Sequence, residues 1–263
     1  KSGNVLALKI PPEDVKELEP EEGVDPSVSK HGDGTLAPYT ITRAHDSQNT
    51  FDIVYRVIKG GRMSRRLSSM KRGSKIEYSG KFHVPIIEGI AADCSKIVCV
   101  STGVGIGPML GYLEQALEQE EQRPIALYNG FRSFQDLIFE DELEELVDNS
   151  DGLITYSPCV SEFVDERYPP PPGYEGLRGR VTQAVPRVLE PDSLMDTHFH
   201  FIGNGGMVNN FKEGLLEAGV PEEHITIERY FNGKLEPEPS EVKEICKTLK
   251  AKAVDPRWAG AET

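Results

Sequence analysis

Two domains of different architecture are predicted within 263 residues: a small antiparallel β-barrel, then an α/β domain on a parallel sheet. Two observations carry this. Residues 3–90 hold short β-prone runs separated by Gly and Asp/Asn turns, the pattern of sequential antiparallel strands. From about Ala92 strand-like runs alternate with amphipathic helical stretches, which calls for a parallel sheet covered on both faces. The length agrees, at about 100–200 residues per domain.

In the first part, strands are expected at Val5–Ile10, Tyr39–Arg43, Phe51–Ile58 and Lys75–Ser79. Phe51–Val57 partly alternates, as a half-buried strand should. Residues 11–36 are acidic, rich in Pro and Gly, and without a period, so a long loop is expected there. In the second part, Lys96–Ser101 is an apolar, β-branched strand, and Pro108–Leu117 places apolar residues at 109, 110, 113, 116 and 117 on one helical face. Strands follow at Ile125–Tyr128, Leu153–Tyr156, Phe199–Ile202 and Ile225–Glu228. Helices are expected at Gln135–Val147, over part of Arg180–Leu189, and at Gly206–Ala218, where Gly219 is the stop. A Pro/Glu linker precedes a capped helix at Ser240–Ala251. The boundaries read as 1–91 for the barrel, 92–231 for the α/β domain and 232–263 for a tail.

The formal charge is −14, which argues against nucleic-acid binding, since that needs a basic face to displace counterions. Against this background, nine basic residues lie between Arg56 and Lys81, with Glu77 the one acidic residue among them. Such a stretch suits a pyrophosphate or an acidic partner, or is a solvated face. The four cysteines form no CxxC or metal-type spacing, so a reducing compartment without disulfides is expected. No apolar run approaches the ~18 residues that span a bilayer. No signal peptide is visible, and the chain opens on Lys1, so an N-terminal portion is expected to be missing.

Two Gly-rich turns carry the chemistry. Ser101-Thr102-Gly103-Val104-Gly105-Ile106-Gly107-Pro108 follows an apolar strand and opens a helix. Glycines let the backbone approach a pyrophosphate, and a helix N-terminus offers N–H groups and partial positive charge. Gly203-Asn204-Gly205-Gly206-Met207 repeats this after another strand. Side by side, two such turns can grip one dinucleotide at the carboxyl edge of a sheet.

Taken in order with Ala37-Pro38-Tyr39-Thr40, Gly61-Arg62-Met63-Ser64 and Glu228-Arg229-Tyr230-Phe231, these segments resemble the ferredoxin–NADP reductase family. That family includes cytochrome b5 reductases and bacterial flavodoxin reductases, and the resemblance spans Gly3 to Phe231. It implies that the barrel binds FAD and the α/β domain binds NADH or NADPH. Tyr39 would lie against the flavin, with the Thr40 hydroxyl near its reactive nitrogen. Gly61, Arg62, Met63 and Ser64 would hold the pyrophosphate, with Ser64 as the cap of a helix over Arg65–Met70. Thr102, Gly103, Gly105, Pro108, Arg132, Ser161, Gly203, Asn204, Gly205 and Met207 would hold the nicotinamide nucleotide. Thr40, Glu228 and Tyr230 would flank the hydride-transfer site.

The family's arginine is Ala37 here, and Arg43, Arg62, Arg65 or Arg66 would have to substitute. Its cysteine near the nicotinamide is Ile202, and its strands preceding Gly3 are absent. Glu162 stands where NADP-using members often carry arginine, which leans towards NADH, although Arg132, Arg167 and Arg180 are within range of that loop. The implied activity is transfer of hydride to FAD and of electrons to a ferredoxin-, flavodoxin- or cytochrome-type protein, or to a larger electron-transfer complex. The other reading is a reductase-like subunit with weakened or absent catalysis.

Overall fold

Antiparallel pairing organises the first third of the chain. The computed structural model describes residues 1–9, 36–58, 61–80, 85–162, 170, 174–230 and 236–251. Strand β1 (Val5–Lys9) is flanked by β2 (Leu36–Thr40), and on its other side by β5 (Glu77–Ser79). As the central strand β1 buries Leu6, Ala7 and Leu8, whereas the edge strand β5 is exposed along its length. A separate hairpin joins β3 (Arg43–His45) to β4 (Thr50–Asp52) through Asn49, which adopts φ +51°, a conformation asparagine tolerates better than most residues.

The strand expected over Phe51–Ile58 stops at Asp52, because β3 supplies only three partners. Helix α1 covers Arg62–Ser69, three residues earlier than its sequence suggests, with Gly61 as the cap. The long loop expected at 11–36 lies outside the described residues, apart from Leu36.

The chain divides into two compact units, Lys1–Ile86 and Ile87–Thr263. In the second, six parallel strands run in the order β11-β10-β6-β7-β8-β9. They are β6 (Lys96–Thr102), β7 (Ile125–Phe131), β8 (Ile154–Val160), β9 (Leu177–Arg178), β10 (Thr197–Asn204) and β11 (Ile225–Tyr230). The central strands β6 and β10 are buried almost end to end, as strands covered on both faces must be.

Helices α2 (Ile106–Glu118), α3 (Glu140–Asp148), α4 (Val181–Val188) and α5 (Gly205–Ala218) connect the strands. Gly219 ends α5 at φ +104°. The helix expected at Gln135–Val147 is split. A Ser133/Asp136 capping box closes a short turn, and Phe139 at φ +64° caps α3. The helix of the expected tail is α6 (Pro239–Lys250). It is part of this unit's core: Ile245 and Leu249 pack with Phe211 and Leu215 of α5 and Val181 and Val185 of α4. Glu241 accepts from Thr182 Oγ1 at 2.6 Å, and Glu238 N donates to Asn210 Oδ1 at 2.8 Å. Among the described residues, no helix is long and apolar enough to cross a membrane.

Candidate functional site

Because all six strands are parallel, the residues that follow them emerge at one edge of the sheet. The chain runs outward from β6 through β7 and β8, then returns to β10 on the other side of β6. The β6/β10 boundary is therefore the topological switch point, where open α/β sheets leave a crevice. Register places Ile202 beside Ser101 and beside Glu228, and Asn204 beside Tyr230. Thr102, Gly103, Asn204, Glu228 and Tyr230 are thus brought together from three strands.

The two turns lock onto one another. Asn204 N donates to Thr102 Oγ1 at 2.9 Å. Gly203 sits at φ +132°, and a Cβ there would lie 3.0 Å from Thr102 N and 3.1 Å from Thr102 O. A Cβ on Gly105 would lie 3.0 Å from Ile202 O. These glycines are needed for close packing of two backbones. Gly103 differs: its φ is +54°, yet none of the described residues lies within 4 Å of where its Cβ would be. Among the described residues it faces open space, as a residue apposed to a ligand would. No side chain caps the Gly103–Gly105 turn or the start of α2. At α5, by contrast, Asn204 Oδ1 accepts from Gly206 N at 3.0 Å and Met207 N at 3.2 Å. The N–H groups of Gly206 and Met207 are already used, and the Met207 side chain packs in the core. Pro108 is buried in the first turn of α2.

At the ends of β7 and β8, Arg132 Nε donates to Glu162 Oε1 at 2.7 Å, and Glu162 N donates to Arg132 O at 2.8 Å. Ser161 N donates to Phe131 O at 3.1 Å. Arg132, Ser161 and Glu162 are one exposed cluster. Arg167 lies outside the described residues, as does Phe231. Beneath the edge, the Ser101 hydroxyl donates to Asn129 Oδ1 in a fully buried pair, and Asn129 Nδ2 is buried without a partner among the described residues. A buried donor of this kind costs about 1–3 kcal/mol. The pair is invisible as a motif because β6 and β7 bring it together.

In the first unit, Tyr39 packs with Leu8 and Met63 and meets Tyr55 edge-to-face at 6.3 Å. Burial, then the neighbouring Tyr55, pushes its hydroxyl up to about 12, so the hydroxyl stays protonated and uncharged. Thr40 is buried at the end of β2, and Arg43 opens the next strand. The expected cap role of Ser64 is not realised. Its hydroxyl accepts from Ile58 N at 3.1 Å and donates to Gly61 O at 3.4 Å within the first turn. A Cβ on Gly61 would lie 2.8 Å from Ser64 Oγ, so the bend is tight. No side chain caps α1, while Arg62, Arg65 and Arg66 lie in its first two turns. An uncapped basic helix start fits a pyrophosphate. The side chain of Met63 belongs to the core.

Comparison with known proteins finds an FAD-binding domain followed by an NAD-binding domain. A family model described as an oxidoreductase FAD-binding domain matches residues 4–83, and one described as an oxidoreductase NAD-binding domain matches residues 99–213. Ferredoxin–NADP reductase B of Sorangium cellulosum is 27% identical over 197 residues, covering 73% of this chain and 77% of that protein. The ferredoxin–NAD(P)(+) reductase component of the naphthalene 1,2-dioxygenase system of Pseudomonas putida is 24% identical, over 88% of this chain and 69% of its own. The glycine betaine monooxygenase reductase subunit of Pseudomonas aeruginosa is 23% identical, and this chain spans 58% of it. Among solved structures, a ferredoxin NADP+ reductase from Neisseria gonorrhoeae with bound FAD and NADP superposes with a TM-score of 0.61 at 24% identity, covering 88% of this chain and 87% of that one.

Proposed function

The chain belongs to the FAD-dependent NAD(P)H oxidoreductases of the ferredoxin–NADP reductase type, and from that premise we propose which of its residues hold each group and what it reduces. Tyr39, Thr40 and the Gly61–Ser64 turn hold FAD. Thr102, Gly103 and Gly105, with Gly203, Asn204 and Gly205, hold the nicotinamide nucleotide. Bound FAD supplies the electron chemistry, accepting a hydride from reduced nicotinamide and passing electrons onward.

The observation that carries the reading is the open space in front of Gly103 at the β6/β10 switch point. There the backbone is bare, the helix start is uncapped, and a pyrophosphate meets N–H groups directly. In the first unit, the neutral ring of Tyr39 offers a flat apolar face, and the Thr40 hydroxyl can donate or accept as a flavin's protonation changes. Arg43, Arg62, Arg65 and Arg66 supply the positive charge that Ala37 lacks. Glu228 and Tyr230 line the β11 side of the crevice, beside Ile202 and Asn204. The acceptor is a ferredoxin-type or oxygenase redox protein, in keeping with relatives that are reductase components of oxygenase systems.

The test is to denature the purified chain and identify the released chromophore, then to titrate the native protein with NADH and NADPH under anaerobic conditions. FAD release and bleaching of its absorbance are expected. A chain that stays colourless after soaking with FAD refutes the reading and leaves a non-catalytic subunit.

A further inference from the structure

At the opposite edge of the parallel sheet, a second cluster has no part in the chemistry above. Asp93 and Cys94 lie in the turn that leads into β6. His224 closes the short 3-10 helix Glu222–His224 that leads into β11. Since β6 and β11 flank β10, their amino ends present these residues to one another. Strands of about seven residues put this edge about 20 Å from the Gly-rich turns.

One imidazole nitrogen, the Cys94 sulfur and one Asp93 oxygen all lie within 4.8 Å of one another. His224 Nε2 is 3.4 Å from Asp93 Oδ2. In a tetrahedral zinc site the ligand atoms are about 3.3–3.8 Å apart, as follows from bond lengths of about 2.0–2.3 Å. The His–Asp edge already has that length, and the sulfur lies within 4.8 Å of both atoms.

Burial also holds the cluster in place. Cys94 is 3% exposed and the His224 side chain 9%, so two of the three ligand atoms sit on packed side chains. Asp93 is the exposed member, with a side chain 76% accessible, and gives the cluster its path to solvent.

We propose that Asp93, Cys94 and His224 form a binding site for one zinc-class divalent metal ion, with a water as fourth ligand. Sulfur, imidazole and carboxylate together suit Zn2+ rather than Mg2+ or Ca2+, which prefer oxygen alone. Binding forms a sulfur–metal bond and releases the Cys94 proton to solvent. The ion would tie the turn before β6 to the turn before β11.

The test uses Co2+ as a visible substitute for Zn2+ on the full chain, after EDTA treatment and removal of the chelator. The expected result is a thiolate-to-cobalt absorption band that saturates at one equivalent and is displaced by Zn2+. It should vanish in Cys94→Ala and persist in Cys246→Ser, which removes the half-buried cysteine elsewhere in the unit. Asp93→Asn, a change at an exposed position that does not threaten folding, should weaken Co2+ binding by at least about tenfold, the scale seen for lesser perturbations of metal sites. No band at one equivalent, an undiminished band in Cys94→Ala, or unchanged affinity in Asp93→Asn would each overturn the proposal and leave His224–Asp93 as a plain ion pair.

Discussion

Gly103→Ala separates binding from folding at the proposed nucleotide site. The residue sits at φ +54° with none of the described residues within 4 Å of a Cβ. The cost to stability is therefore backbone strain alone, about 1 kcal/mol. The new methyl would fill the space proposed for the pyrophosphate and push it off one N–H group. A charged hydrogen bond of that kind is worth about 1.5–3 kcal/mol, which is a loss of roughly 10- to 150-fold in kcat/KM for NADH. Gly203→Ala should behave differently. Its Cβ would press on Thr102 N at 3.0 Å with φ at +132°, so stability should fall by more than for Gly103→Ala. Gly103→Asn adds a control, since asparagine tolerates positive φ yet is bulkier; it should fold better than Gly103→Ala and bind no better. The assays are urea unfolding and steady-state kinetics with both nucleotides. If Gly103→Ala keeps kcat/KM within twofold of wild type, the open space does not face the pyrophosphate and the placement is wrong.

Other outcomes follow from particular contacts. Wild type should prefer NADH, and Glu162→Arg should move the NADPH/NADH ratio of kcat/KM by about 5- to 30-fold, because it releases Arg132 from its pair and adds a second phosphate donor; an unmoved ratio means that this cluster does not meet the ribose. Ile245→Ala, at a side chain 1% exposed between α6 and α5, should cost about 2–5 kcal/mol in urea unfolding, whereas a detached tail would show no loss. His198 accepts from Ala91 N and donates to Thr226; burial, then the charges of His224 and Arg123, lower its pKa from 6.5 to about 4. The unfolded chain then takes up the proton first, so stability is full above pH 6.5 and falls by up to about 3 kcal/mol as pH drops towards 4. Unfolding measured across that range with chelator present should show this slope, and His198→Gln should flatten it.

The architecture was legible where burial dictates composition. Lys96–Ser101 reads as a strand because both its faces are covered, and Gly219 marks the end of α5 because only glycine takes φ +104° without strain. Boundaries were less legible where a single local bond decides them. Residues 51–57 partly alternate like a strand, but β4 runs out of partners at Asp52, and Ile58 N turns to the Ser64 hydroxyl instead. Residues 135–147 have the period of one helix, yet the Ser133/Asp136 box and Phe139 divide it. The docking of α6 was hidden for another reason. Its contact with α5 runs over Gly214, where a Cβ would lie 2.9 Å from Ile245 Cβ, and a missing side chain leaves no apolar signal.

In the candidate site, the sequence shows where the turns are but not which of their atoms are already engaged. Three helix starts look alike as motifs: Gly61–Ser64, Thr102–Gly105 and Gly203–Met207. Two of them have no side-chain cap. The third is closed by Asn204, whose Oδ1 takes the N–H groups of Gly206 and Met207. The free-amide argument for anion binding therefore applies to the first two and fails for the third as it stands. With Oδ1 committed to the cap, the donor that the Asn204 amide carries is Nδ2. The β10 turn is thus suited to a directed side-chain hydrogen bond rather than to a phosphate cradle. Measured together, the two kinds of contact should part: Asn204→Ala loses a donor and a helix cap at once, costing about 1 kcal/mol of stability, whereas Gly103→Asn, at an uncapped turn, loses affinity with far less effect on folding. Equal stability losses in the two variants would mean that both turns serve only the fold.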